Sequence, residues 1–253
     1  MDEFLLHQSM KRRSFVKQTV AASLMLSGLP VSLRTNEVEY STDELTGRGS
    51  IQLFGEDFKL REEPYKAFLK MKKAAYQAGF DAKVVSGYRS FDRQRGIWER
   101  KFHRYTEIDG LKPIAALNKI IEYSTIPGTS RHHWGTEIDI IDANPKVNGD
   151  VLVAKKFDDE GPFFAFKKWL DLNAEKFGFY LVYTDNYFRK GFKYEPWHYS
   201  YAHLSIPMLK QFRKKNILKL LSQERFEGSQ HFNRNFLRNY IHNHILDINP
   251  ALL

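Results

Sequence analysis

Two short stretches of the chain concentrate side chains able to hold a metal ion and move a proton. The first is Ser130-Arg131-His132-His133-Trp134-Gly135-Thr136-Glu137-Ile138-Asp139, and the second is Glu195-Pro196-Trp197-His198. Cysteine is absent, so disulfides, thiolate ligands and a cysteine nucleophile are excluded, and a transition-metal site has to be built from His, Asp or Glu. A catalytic zinc takes three protein ligands and keeps one position for water, with a further carboxylate beside that water but off the metal. His132, Asp139 and His198 fit as the ligands, and Glu195 fits as the base. Spacing alone leaves a second reading open, in which these are hydrogen-bonded histidines and ordinary surface acids. His133 and His203 stand close by in sequence as weaker ligand candidates.

The elements that must position these residues can be read from pattern. Residues 63–78 read as a helix with Pro64 in its first turn, a stripe of Tyr65, Phe68, Leu69 and Tyr76, and a stop at Gly79. Residues 82–86 read as a strand. Ser90 is placed to cap a helix running to about Phe102, and residues 114–123 form another that ends near Pro127-Gly128. Residues 136–141 alternate as a strand, which puts Glu137, Asp139 and Ile141 on one face and Ile138 and Ile140 on the core face. A helix over 163–176 stops near Gly178, a strand covers 179–183, and a last strand or bend spans 194–201. Glu195 and His198 diverge on a flat strand and converge in a turn, and Pro196 favours the bend. Residues 206–253 read as helical, and their histidines (His231, His242, His244) as a solvated face. Strands and helices without regular alternation predict an α+β fold with a mainly antiparallel sheet flanked by helices.

The order Ser-x-His-x-x-Gly-x-x-x-Asp (130–139), then Glu-x-Trp-His (195–198), resembles the VanY-like D-alanyl-D-alanine carboxypeptidases, zinc peptidases of the D-alanyl-D-alanine peptidase/hedgehog fold. Ser86-Gly87-Tyr88-Arg89-Ser90 with Gln94, and Pro127-Gly128-Thr129-Ser130, match the same pattern, and the likeness spans about residues 60–202. The resemblance implies zinc on His132, Asp139 and His198, Glu195 as general base, and Arg89 and Ser130 as substrate-binding residues. It implies removal of a C-terminal D-amino acid, D-alanine above all, from peptidoglycan stem peptides, with no nucleic-acid partner. Two other functions remain in view: an endopeptidase on the same fold, and a non-catalytic zinc-containing wall-binding module. A free Glu195 argues against the module. One departure stands out: that family has a small residue, often Ala, where this chain has Glu137.

The two ends of the chain differ from its middle. Arg12-Arg13-Ser14-Phe15-Val16-Lys17, followed by a mildly apolar run to Leu29, resembles a twin-arginine export signal and places the protein in the periplasm or cell envelope of a bacterium. The run is too short for a transmembrane helix, which needs ~20 apolar residues. The formal net charge is +9, and residues 206–253 carry eight basic against three acidic side chains. That basic extension is a solvated helix face or, alternatively, a weak contact for anionic wall polymer or lipid. The expected organisation is an export signal over 1–35, a zinc peptidase domain over 36–205 and a basic helical extension over 206–253.

Overall fold

The computed structural model describes residues 38–253, of which Glu39–Leu253 form one compact unit. The expected export signal therefore lies outside the described residues. Helices are α1 (Thr42–Leu45), α2 (Glu62–Gln77), α3 (Phe91–His103), α4 (Pro113–Ile120), α5 (Phe164–Asn173), α6 (Ala202–Arg213), α7 (Ile217–Ser222) and α8 (Arg234–Tyr240). Strands β1 (Ala82–Ser86), β2 (Glu137–Asp142), β3 (Phe179–Leu181) and β4 (His198–Tyr201) form one sheet in the order β1-β2-β4-β3, antiparallel throughout. This is the α+β architecture that the sequence pattern predicts.

Local chemistry sets the boundaries. Ser90 caps α3 by accepting from the Arg93 N–H at 3.2 Å. Gly178, at φ 81°, ends the turn after α5 in a conformation other residues enter at a cost. The stripe on α2 departs from expectation. Pro64, Phe68, Met71 and Ala75 are buried, whereas Leu69 and Tyr76 are 46% and 76% exposed. The 4-3-4 spacing of the buried set follows the helical repeat more closely than the bulkiest side chains do. That face packs on Ile138 and Ile140 of β2 and on Phe166 and Leu170 of α5.

A second core joins α3 and α4 to the C-terminal helices. Trp98, Leu117 and Ile120 share it with Met208, Phe212, Leu221, Leu237 and Tyr240. Residues 206–253 are thus built into the domain's interior, with their basic side chains outward. His244 departs from the expected solvated face. It packs against Phe192 and Tyr240, with ring centroids at 5.0 and 5.2 Å, and burial pushes its pKa down to about 4. Farther along, Asn249 donates its backbone N–H to Val182 O and its amide to Leu181 O, both at 2.9 Å, covering the edge at β3. Among the described residues no helix is long and apolar enough to cross a membrane.

Candidate metal centre

Strand register assembles the centre. Asp139 of β2 lies directly opposite His198 of β4, and Glu137 lies opposite Ser200, so all four side chains share one face of the sheet. Ile138 and Tyr199 take the other face, in the core. His132 arrives from a 3₁₀ turn (Arg131–Trp134) that ends at Gly135, whose φ of 69° turns the chain into β2. Glu195 is folded back onto His198 by a turn in which the His198 N–H donates to Glu195 O at 3.0 Å.

The donor set fits a divalent cation. One ligating atom from each of His132, Asp139 and His198 lies within 4.8 Å of the others, and all three residues are buried. His132 Nδ1 donates to the Gly87 carbonyl at 2.7 Å, which leaves Nε2 as the lone-pair nitrogen. That Nε2 is buried with no hydrogen-bond partner, 3.4 Å from Asp139 Oδ2. Burial, assisted by the Arg89 cation, pushes the His132 pKa down to about 4, so the ring is neutral, as a metal ligand must be. Gly87 can present its carbonyl here because the chain passes close to Lys59: a Cβ on Gly87 would meet the Lys59 carbonyl at 2.6 Å.

Asp139 is held well below the usual carboxylate range. Burial alone would raise it, but His132, His198 and Arg89 outweigh that. Arg89 Nη2 stands 3.5 Å from Asp139 Oδ2, and Nη1 donates to Gln94 Oε1 at 3.1 Å. Gln94 is itself fixed by donating to Thr125 O at 2.9 Å. His198 directs Nδ1 toward Glu195 Oε2 at 2.9 Å and Asp139 Oδ1 at 3.9 Å. Its other nitrogen, Nε2, meets Glu137 Oε2 at 3.1 Å. Burial opposes charge on this ring, yet hydrogen bonds to Glu137 and Glu195, with Asp139 nearby, raise its pKa to about 9. Glu195 is shifted up by burial, only partly offset by His198.

Glu137 has a definite place. It is fully buried and accepts from His198 on one oxygen. On the other it accepts from Ser200 Oγ at 2.7 Å and Thr136 Oγ1 at 3.0 Å, with Arg131 Nη2 at 3.4 Å. Burial would raise its pKa, but Arg131 first, then His198 and Ser200, hold it down to about 2. A carboxylate on the far nitrogen of a ligating histidine fixes which nitrogen carries the proton, here Nε2, and leaves Nδ1 to face Asp139 and Glu195. Residue pattern alone showed only that Glu137 faces the metal side of β2.

The candidates sort cleanly. His132, Asp139, His198 and Glu195 meet in one cluster, Arg89 joins it through Asp139, and Ser130 lines the same cavity of about 420 Å³. His133 cannot ligate: its Nδ1 donates to Arg89 O at 2.6 Å and its Nε2 accepts from the Gly128 N–H at 3.1 Å. His203 is exposed beside Glu63 and Tyr201. Lys101, in the cavity wall, carries no motif, although stepping along α3 from Gln94 by three and seven residues reaches Ile97 and Lys101.

A family model described as D-alanyl-D-alanine carboxypeptidase, VanY, matches residues 57–204. The chain is 31% identical over 174 residues to the putative carboxypeptidase YodJ of Bacillus subtilis, covering 68% of this chain and 54% of that one. It is 30% identical over 149 residues to a D-alanyl-D-alanine carboxypeptidase of Enterococcus faecalis, covering 58% and 49%. The chain therefore spans about half the length of these curated relatives. The solved structure of VanYB in complex with D-alanine-D-alanine shares the fold, with a TM-score of 0.51 and 23% identity over 70% of this chain and 92% of that one. Since the family model spans more than half of its residues, the protein belongs to the VanY family.

Proposed function

We propose that the protein is a zinc-dependent carboxypeptidase that removes a C-terminal D-amino acid, D-alanine in the first place, from peptidoglycan stem peptides. The observation that carries this reading is the buried cluster of His132, Asp139 and His198 with Glu195 against His198, all opening onto one cavity. His132, Asp139 and His198 would hold the ion, and the chemistry it supplies there is Lewis acidity toward a water and a carbonyl oxygen. Glu195 takes the proton of the attacking water and delivers it to the leaving amine. Its pKa, shifted upward by burial, suits a group that must accept a proton and then release it. Arg89 keeps a buried Nε without a partner, a donor for negative charge that develops beside Asp139. Glu137 and Gly87 hold the two imidazoles in the tautomers that ligation requires.

A catalytic enzyme is favoured over a wall-binding module by Glu195, since a structural site has no use for an uncoordinated base. The twin-arginine-like string at 12–17 supports export to the periplasm or cell envelope, and residues 36–205 with the packed extension 206–253 would form the mature body. The test is incubation of the zinc-loaded protein with a stem pentapeptide, with mass spectrometry following loss of one residue. Glu195→Gln should keep stoichiometric zinc and lose turnover by several orders of magnitude. Turnover that survives the substitution removes Glu195 from the role of base.

A further inference from the structure

Three cationic side chains line the cavity, and two are already engaged. Arg89 is held between Asp139 and Gln94, and Arg131 between Glu137 and Ser200. Lys101 differs. Its Nζ donates to Ser124 Oγ at 2.6 Å, and among the described residues no carboxylate lies within ion-pairing distance of it. By contrast the partly buried Lys167 and the exposed Lys66 and Lys119 each hold an acid nearby in sequence. Glu195 and Asp150 line the same cavity and act on Lys101 from a distance, but neither touches it, so a part-buried ammonium without a contacting carboxylate gains when an anion binds directly.

We propose that Lys101 and Ser124 form the subsite that takes the free terminal carboxylate of the substrate, which makes Lys101 the residue that sets the preference for a chain end. The inference rests on the carboxypeptidase reading and deepens it. Geometry divides the labour: Arg89 is tied to a metal ligand and stays at the reacting centre, while Lys101 sits on the same wall of α3, seven residues or two turns beyond Gln94. Ser124 is buried and already accepts from Lys101, so its own hydroxyl proton is left to donate to a second carboxylate oxygen. Burial and Arg89 lower the Lys101 pKa, while Glu195 and Asp150 raise it from across the cavity without touching it. An ammonium and a hydroxyl side by side match a carboxylate and offer nothing comparable to a neutral amide.

The test compares a D-alanine-terminated stem peptide with the same peptide ending in a carboxamide, using wild type, Lys101→Met and Lys101→Arg. Methionine preserves the apolar stem and removes the charge. We expect wild type to prefer the acid and Lys101→Met to raise KM for the acid by about 100-fold, with little change in kcat. Cleavage of the amide should be unmoved, which also shows that the variant is folded, and Lys101→Arg should recover most of the acid preference. An acid-to-amide ratio indifferent to Lys101, or equal losses on both peptides, overturns the proposal and leaves the carboxypeptidase reading standing. Calorimetric binding of both peptides separates the remaining cases. Lys101-dependent binding of the acid without any cleavage keeps the subsite and refutes the activity. Absence of both binding and cleavage overturns the two together.

Discussion

Glu137→Gln is the sharpest perturbation of the centre, because it changes one atom type without changing volume. The carboxylate faces donors on both oxygens: His198 Nε2 on one, Ser200, Thr136 and Arg131 on the other. An amide has one acceptor and one donor end, so one side must be mismatched. If the NH₂ faces His198, the ring has to accept at Nε2 and carry its proton on Nδ1, the nitrogen that faces Asp139. In either orientation Arg131, a guanidinium only 5% exposed, loses its counter-charge, and an NH₂ turned toward it adds a donor-to-donor mismatch. The first outcome weakens zinc binding by the 10–100-fold typical of losing such a supporting contact, about 1.4–2.7 kcal/mol. The lost counter-charge costs about 3–5 kcal/mol of stability in both orientations. Chelator competition measures zinc affinity and urea unfolding measures stability, both on the same variant. The double substitution Arg131→Met with Glu137→Ala separates the effects, since removing both charges restores much of the stability and leaves His198 unsupported. Zinc affinity within twofold of wild type in both variants would refute the assignment of Glu137 as the group that orients His198.

The remaining expectations are simpler. The preference for an acid over an amide terminus should fade as pH rises, because burial brings the Lys101 pKa below the usual lysine value and its positive charge is lost earlier than that of a free lysine. Glu195 and Asp150 pull that titration upward and Arg89 pulls it down, so the profile of KM(amide)/KM(acid) against pH is the measurement, and a flat ratio to pH 10 or so would contradict it. Tyr240→Phe deletes a hydroxyl that accepts from the Ile126 N–H at 3.0 Å and meets Thr129 Oγ1 at 2.7 Å. Leaving that buried N–H unpaired should cost about 1–3 kcal/mol in a urea melt.

Much of this molecule is legible in the residue order, and the failures have physical causes. β1 falls at 82–86 as alternation predicts, and α3 starts where Ser90 supplies a cap, because strands and caps are decided by near neighbours. β3 stops at Leu181, two residues short of the expected end, although the Val182 N–H still donates to His198 O at 3.0 Å. On α2 the helical repeat decides burial over aromatic size: of the expected stripe Phe68 is buried and Tyr65 packs on the core, while Leu69 and Tyr76 turn to solvent. Glu137 and Lys101 escaped assignment for a different reason. Each owes its role to partners distant in sequence, Glu137 to His198 and Lys101 to Ser124, and no local pattern announces a tertiary contact. His244 likewise gained its aromatic neighbours only through folding.

The link between Tyr240 and the segment 126–130 also bears on when the centre can form. Those contacts join residues more than a hundred positions apart, and they steady the stretch that runs directly into Ser130 and His132. A chain still emerging from the ribosome, with residues up to 200 released, would own all its ligands and yet hold His132 on a slack tether. Pairings of such high sequence separation carry a large loop-closure cost before they form. The approach of His132 and the docking of α8 therefore belong to one cooperative unit, so loosening the C-terminal helices loosens a ligand far from them in sequence.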